Sequence, residues 1–217
     1  MEERLVKIEA LLAVLVDHEG PHFSFGASVE EHFPERCDAM LRGLHALIGT
    51  MLEWPKPILV AARGQCLGGG LEFAVAGHLL FLAPDAQLGQ PELKLGVFAP
   101  AASVLLPARI GQARAEDLLY SGRSIDAATA LAWGLANEVA TDPVAAALAY
   151  FEKHLAARSA ASLAVAVRAA RTPFAELARA RLEDVEGLYL EELMATRDAR
   201  EGLKAFIEKR QPHWEHR

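Results

Sequence analysis

The stretch "GQCLGGGLEF", residues 64–73, limits the folds open to this chain more than any other. Glycine weakens a helix by about 1 kcal/mol relative to alanine, so three in a row at a helix start mark a place where the main chain is approached closely. "ILVAA" at 58–62 reads as a buried strand and "LEFAVAG" as a helix, so the glycines turn strand into helix. Amides in the first turn of a helix have no internal acceptor and lie at the positive end of its dipole. Phosphate-cradle readings fit poorly: no Lys-Ser or Lys-Thr follows, and Gly64, Gly68, Gly69 and Gly70 lack the dinucleotide spacing. Two readings stay open, an oxyanion held by these amides or tight packing of helix on strand.

With 217 residues, 52% of them hydrophobic, the chain suits one large domain with a helical tail. A net charge of -7 without a Lys/Arg-rich segment excludes a general nucleic-acid binder. Arg63 and Glu72 interrupt the most apolar region, so no membrane span is expected. The acidic front lacks the features of a secretory signal, and Cys37 and Cys66 read as reduced packing thiols, which together predict a cytoplasmic protein.

Periodicity predicts a helix over residues 3–10, a strand over 11–16, a helix from Pro34 to Glu53 and a strand over 79–83. Residues 84–100 read as loop. Helices follow in "AASVLLPARIG" and in "SIDAATALAWG", the latter with Ser124 as cap and Gly134 as stop, and the chain from Pro143 onward is helical in pattern. The expected organisation is a core over 1–142 and a helical region over 143–217. Within the last part, Leu203, Phe206 and Ile207 are expected to pack against a core. His78 reads as a structural hydrogen-bonding residue, and His18, His22, His32, His45, His154, His213 and His216 as surface or loop residues.

The chemistry rests on two acids. "LGQPEL" places Glu92 twenty residues after Glu72, with a strand between, so a returning strand brings both carboxylates to one pocket. Adding water across an activated double bond needs such a pair, one group to deprotonate water and one to deliver a proton to carbon. Glu72 stands among apolar residues, where an unpaired charge is costly. In "HFSFGAS", 22–28, Gly26 permits a sharp turn that aims the N–H of Ala27 at the same oxygen as that of Gly69. Each such donor contributes about 3 kcal/mol to transition-state stabilisation in a dry site.

Together with "KPILVAARGQCLGGGLEFAVAG", "DAQLGQPELKLGVFAP", "LLYSGRSIDAATALAWGLANEVA" and "DAREGLKAFIEKRQP", these motifs resemble the crotonase, or enoyl-CoA hydratase/isomerase, superfamily. The resemblance implies an α/β fold, a crotonase-like spiral of ββα units with two near-perpendicular sheets and a helical C-terminal region, assembled as a homotrimer or homohexamer. It implies an acyl-CoA thioester substrate, with no metal and no cofactor besides the coenzyme A the substrate carries. Carried over by position, Ala27 and Gly69 are the backbone donors to the thioester oxygen, and Glu72 and Glu92 the catalytic acids. The loops look most like the branch that hydrates cyclic conjugated dienoyl-CoA thioesters, with Phe25, Phe98, Ala99 and Pro100 shaping the pocket for a ring. Phe206 and Lys209 are placed near the coenzyme across a subunit boundary. Departures are Ser28 and His78, where aspartate is common, and a start that matches the family's first helix, so an N-terminally short chain with an exposed sheet edge is expected. A linear enoyl-CoA hydratase or isomerase, and a non-catalytic acyl-CoA-binding or assembly paralogue, are the alternatives.

Overall fold

The computed structural model describes residues 11–217, so the helix expected over 3–10 lies outside the described residues. The run Ile58–Ala62 forms β2, buried at every position because it is flanked on both sides in a parallel sheet. Among the described residues that sheet runs β1 (Val14–Val16), β2, β4 (Leu79–Leu82), β7 (Glu138–Val139), with every pairing parallel. A second sheet joins β3 (Gln65–Leu67), β5 (Gln87–Gly89) and β6 (Ser124–Asp126), the first pair parallel and the second antiparallel. Successive strands alternate between sheets: β2 enters the first and β3 the second, α2 (Gly69–Ala76) crosses over, then β4 returns to the first and β5 to the second. This is the spiral of strand-strand-helix units.

The helices cover this spiral. α1 (Cys37–Glu53) buries Leu41, Ile48 and Leu52 along one stripe, the outcome of its 3.6-residue apolar period. α3 (Pro100–Ile110) and α4 (Gln112–Ser121) pack on each other, and the long α7 (Ala160–Gly187) lies on both α1 and α3. Ala178, Leu182 and Val185 of α7 join Val60 of β2, Leu71 of α2 and Leu105 of α3 in one apolar cluster. α6 (Pro143–His154) covers the other face of the first sheet, where Ala147 meets Leu59 and Phe81. No helix among the described residues is long and apolar enough to cross a membrane.

Several element boundaries differ from expectation for local reasons. Pro34 lies in a turn before α1, where the Cys37 N–H donates to the Phe33 carbonyl at 2.9 Å. The strand expected over 11–16 shortens to Val14–Val16, and that over 79–83 stops at Leu82. Ser124 is not a helix cap, because it belongs to β6; Asp126 caps α5 (Ala127–Ala132), its Oδ1 accepting from the Thr129 N–H at 2.8 Å. β3 and β5 fall where only a glycine cluster and a loop were expected. In α8 (Arg197–Ile207) Leu203 is buried, but Phe206 and Ile207 are 55% and 44% exposed. The cluster that receives Leu203, around Val97 and Tyr189, ends before the last turn of that helix.

Candidate active site

Gly68 caps the start of α2 with φ +56° and ψ −132°, a backbone conformation closed to side chains. A Cβ there would also lie 2.5 Å from Glu92 Oε1, so the bare Cα makes room for the acid itself. At Gly70 the space is filled by Ser24 in the same way. Two of the three glycines are thus explained by the protein's own close packing. Gly69 is different: a Cβ on it would meet only ordinary contacts, among them the Ala27 nitrogen at 3.6 Å.

The segment that brings Ala27 there is held by a parallel bridge between Ser24 and Cys66 and by a bond from the Gly26 N–H to Ser24 Oγ at 3.0 Å. Gly26 has φ +89°, and its Cβ position would lie 2.9 Å from the Gly69 nitrogen. A side chain there would push the two turns apart. Among the described residues neither the Ala27 nor the Gly69 N–H has an acceptor. Both residues line a cleft of about 360 Å³, with Ser24, Met40, Leu44 and Phe73 among its walls. Two free amides in a mostly apolar cleft are suited to an acyl oxygen that gains negative charge.

Glu72 sits in the first turn of α2 and is only 2% exposed. Its Oε1 accepts from the Ala102 N–H at 2.7 Å and so caps α3, whose own N-cap residue, Ala99, has no side-chain acceptor. Burial raises its pKa to about 7, against the lowering by the Ala102 and Ala101 amides. Glu92 lies on the 3-10 turn Pro91–Leu95 and is 8% exposed; burial first, then the neighbouring charge of Glu72, raise it to about 8. With its amide nitrogen turned toward the acid, buried Gln90 donates to Glu92 Oε2 at 3.1 Å and Oε1 at 3.2 Å. Both acids are buried, and the charge of Glu72 adds to the cost of ionising Glu92, so both carboxyls are held well above the usual carboxylate range.

Neither acid is among the residues that line the cleft, although Glu92 Oε1 stands against Gly68, next to Gly69, and the other expected residues lie elsewhere as well. Phe25 is 62% exposed with its ring edge-on to His22, outside the cleft. Phe98 is half-buried against Tyr189, ring centroids 5.4 Å apart. Ala99 and Pro100 are buried at the start of α3, where they close the core rather than line the cleft. Phe206 and Lys209 stand exposed at the C-terminal end of α8.

Tertiary contacts supply residues that no local signal marks: the Ala102 amide, Gln90, and fully buried Tyr189, whose hydroxyl meets His32 Nδ1 at 2.9 Å. Of these, only Gln90 stands inside a motif, two residues before Glu92 in "LGQPEL". His18 lies in the loop after β1, as expected, but it and two other histidines expected as surface or loop residues are largely covered. His18 lines the cleft with its side chain 8% exposed, His32 pairs with Tyr189, and His45 is buried with Nδ1 2.7 Å from Glu186 Oε2. Packing of β1, the 3-10 turn at Val29–His32 and α1 against the rest of the molecule covers them. His78 does act as a hydrogen-bonding residue, its Nδ1 accepting from the Ile58 N–H at 3.0 Å.

The sequence profile of the family described as Enoyl-CoA hydratase/isomerase matches residues 7–217. A cyclohexa-1,5-dienecarbonyl-CoA hydratase of Thauera aromatica is 64% identical over 208 residues, which cover 96% of this chain and 81% of that one. A carnitinyl-CoA dehydratase of Proteus mirabilis is 32% identical over 81% of this chain and 69% of its own. The crystal structure of an enoyl-CoA hydratase/isomerase from Pseudoalteromonas atlantica superposes with a TM-score of 0.80 at 29% identity, covering 98% of this chain and 86% of that one. With a profile that spans nearly the whole sequence and a shared fold, this chain belongs to the enoyl-CoA hydratase/isomerase family.

Proposed function

We propose that this chain is a hydratase that adds water to a cyclic conjugated dienoyl-CoA thioester, converting cyclohexa-1,5-diene-1-carbonyl-CoA to 6-hydroxycyclohex-1-ene-1-carbonyl-CoA. The observation that carries the reaction type is the buried acid pair beside the glycine turn; the 64% identity to the Thauera hydratase directs the choice of acyl group. The thioester oxygen lies between the N–H groups of Ala27 and Gly69. They draw electron density out of the diene and stabilise the enolate oxygen as it forms.

The ionised member of the Glu72/Glu92 pair takes a proton from water, and the water oxygen bonds to the ring carbon β to the carbonyl. Electrons flow through the dienolate, whose far carbon takes a proton from the acid pair, and the remaining double bond ends beside the carbonyl. Overall one water is added, and the pair is returned to its starting protonation state. Raised acid pKa values fit this work, since one proton must be held and one released near neutral pH.

Coenzyme A enters as part of the substrate, and no separate cofactor takes part in these steps. Two buried free thiols, Cys37 and Cys66, suit a reducing cytoplasm. The helical region 143–217, with Phe206 and Lys209 exposed at its end, is the proposed assembly surface of a homotrimer or homohexamer. Incubation with cyclohexa-1,5-diene-1-carbonyl-CoA and, separately, crotonyl-CoA tests the reading. Faster hydration of the cyclic substrate supports it; preference for the linear one would turn it toward an ordinary enoyl-CoA hydratase.

A further inference from the structure

Tyr189 is the largest fully buried side chain among the described residues, and it stands on the π-helical turn Leu188–Glu192 that continues α7. Such turns are rare and recur at functional sites. Its surroundings are apolar: Leu41, Val97, Met194 and Leu203 belong to the same buried cluster, with Val29 and Phe33 packed against it. A phenylalanine would fill that space equally well, and a hydroxyl in such a cluster costs stability unless it is bonded. The hydroxyl has one partner among the described residues, His32 Nδ1 at 2.9 Å. Burial lowers the pKa of His32, against the raising by Glu31, so the ring is neutral at physiological pH and Nδ1 can accept the phenol proton. Burial, then the charges of Cys37, Glu92 and Glu72, push the phenol up, so it keeps that proton and remains the donor.

The bond ties down the segment that carries one of the two bare amides. His32 ends the 3-10 turn Val29–His32, which begins two residues after Ala27. At the start of that turn the Ser28 N–H donates to Glu31 Oε2 at 3.2 Å and the Glu31 N–H to the Ser28 carbonyl at 3.0 Å, so residues 28–32 move as one unit. On its other side Ala27 adjoins Gly26, which lies against Gly69. The Ala27 amide is therefore held from two sides, by Gly26 on the glycine turn and by a 3-10 turn that Tyr189 anchors. The ring of Tyr189 also meets Phe98, which stands between the Glu92 turn and the start of α3, where the Ala102 N–H holds Glu72. One buried residue thus packs between the amide segment and the loop of the acids.

We propose that Tyr189 is a positioning residue for the hydration: its bond to His32 fixes the Val29–His32 turn and so keeps the Ala27 N–H aimed, together with the Gly69 N–H, at one acyl oxygen. This rests on the oxyanion reading of those two amides. The ring fills space and the hydroxyl sets direction, so the two contributions separate in a Tyr189→Phe variant.

Infrared difference spectra of benzoyl-CoA labelled with ¹³C at the thioester carbonyl, bound to the wild-type protein, Tyr189→Phe and His32→Leu, test it; the aromatic ring of this probe is not hydrated. In the wild type the carbonyl stretch should fall below its value in water, because two amides draw charge onto the oxygen. Tyr189→Phe should fold and bind the probe yet show about half that fall, since one of the two donors loses its aim. Its kcat on cyclohexa-1,5-diene-1-carbonyl-CoA should drop about tenfold with KM little changed, and adding His32→Leu should take kcat no lower, because both changes remove the same bond. A wild-type carbonyl at its frequency in water would overturn the oxyanion reading and this inference with it. A full wild-type shift in Tyr189→Phe, or additive losses in the double variant, would overturn this inference alone. If Tyr189→Phe does not fold, the spectrum with His32→Leu decides in the same way.

Discussion

Glu72 and Glu92 are raised to about 7 and about 8, in both cases by burial before anything else. A carboxyl whose folded value stands above its unfolded one, here 4.5, binds its proton more tightly in the folded state. The stability it contributes is therefore complete below about pH 4.5 and is lost as the pH rises through 7 and 8. Urea unfolding at pH 5 and pH 9 should show a less stable protein at the higher pH. Glu72→Gln or Glu92→Gln should narrow that difference by on the order of 2 kcal/mol. Each variant should also lower hydration at least about a hundredfold while leaving acyl-CoA binding largely intact, as read from kcat and from calorimetry. An unchanged pH dependence in both variants would show that neither acid is desolvated as described. These two acids and the turn residues Ala27 and Gly69 were legible because each sits inside a short local motif. Gln90 and the Ala102 amide were not, because what brings them to the acids is the packing of α3 and the 3-10 turn, which leaves no period in the sequence.

At the scale of elements, the glycine turn and the segment before it act as one unit. Gly26→Ala would place a methyl group 2.9 Å from the Gly69 nitrogen at a φ of +89°. The expected result is a loss of hydration well beyond the loss of stability, because the Ala27 and Gly69 amides separate while the core beneath them stays packed; kcat and Tm measured together check it. Asp126→Ala removes the cap of α5 and should cost about 1 kcal/mol in urea unfolding with little change in kcat. The long elements β2, α1 and α7 were readable from apolar runs and helical period. β3, β5 and β6 were not: strands of three residues are too short for alternation to declare itself, and β6 disguised Asp126 behind a plausible serine cap.

Across the whole molecule, the spiral places the start of α2 at the amides and acids, and Arg171 of α7 completes its other end by donating to the Ala76 and Gly77 carbonyls. The helical region from Pro143 onward was legible by composition, yet its inner face is part of the same apolar cluster as β2 and α2, which only the packed structure reveals. That packing keeps water from Glu72 and Glu92 and so sustains their raised pKa values. The central claim is that this buried pair, with two bare amides, hydrates a cyclic dienoyl thioester. Mass spectrometry of the acyl-CoA recovered after incubating the purified protein with cyclohexa-1,5-diene-1-carbonyl-CoA in ¹⁸O-labelled water tests it most directly. The predicted result is a product heavier by one labelled water, absent with the Glu72→Gln and Glu92→Gln variants; recovery of unchanged substrate from the wild-type protein, or a labelled product that both variants form equally well, would contradict it.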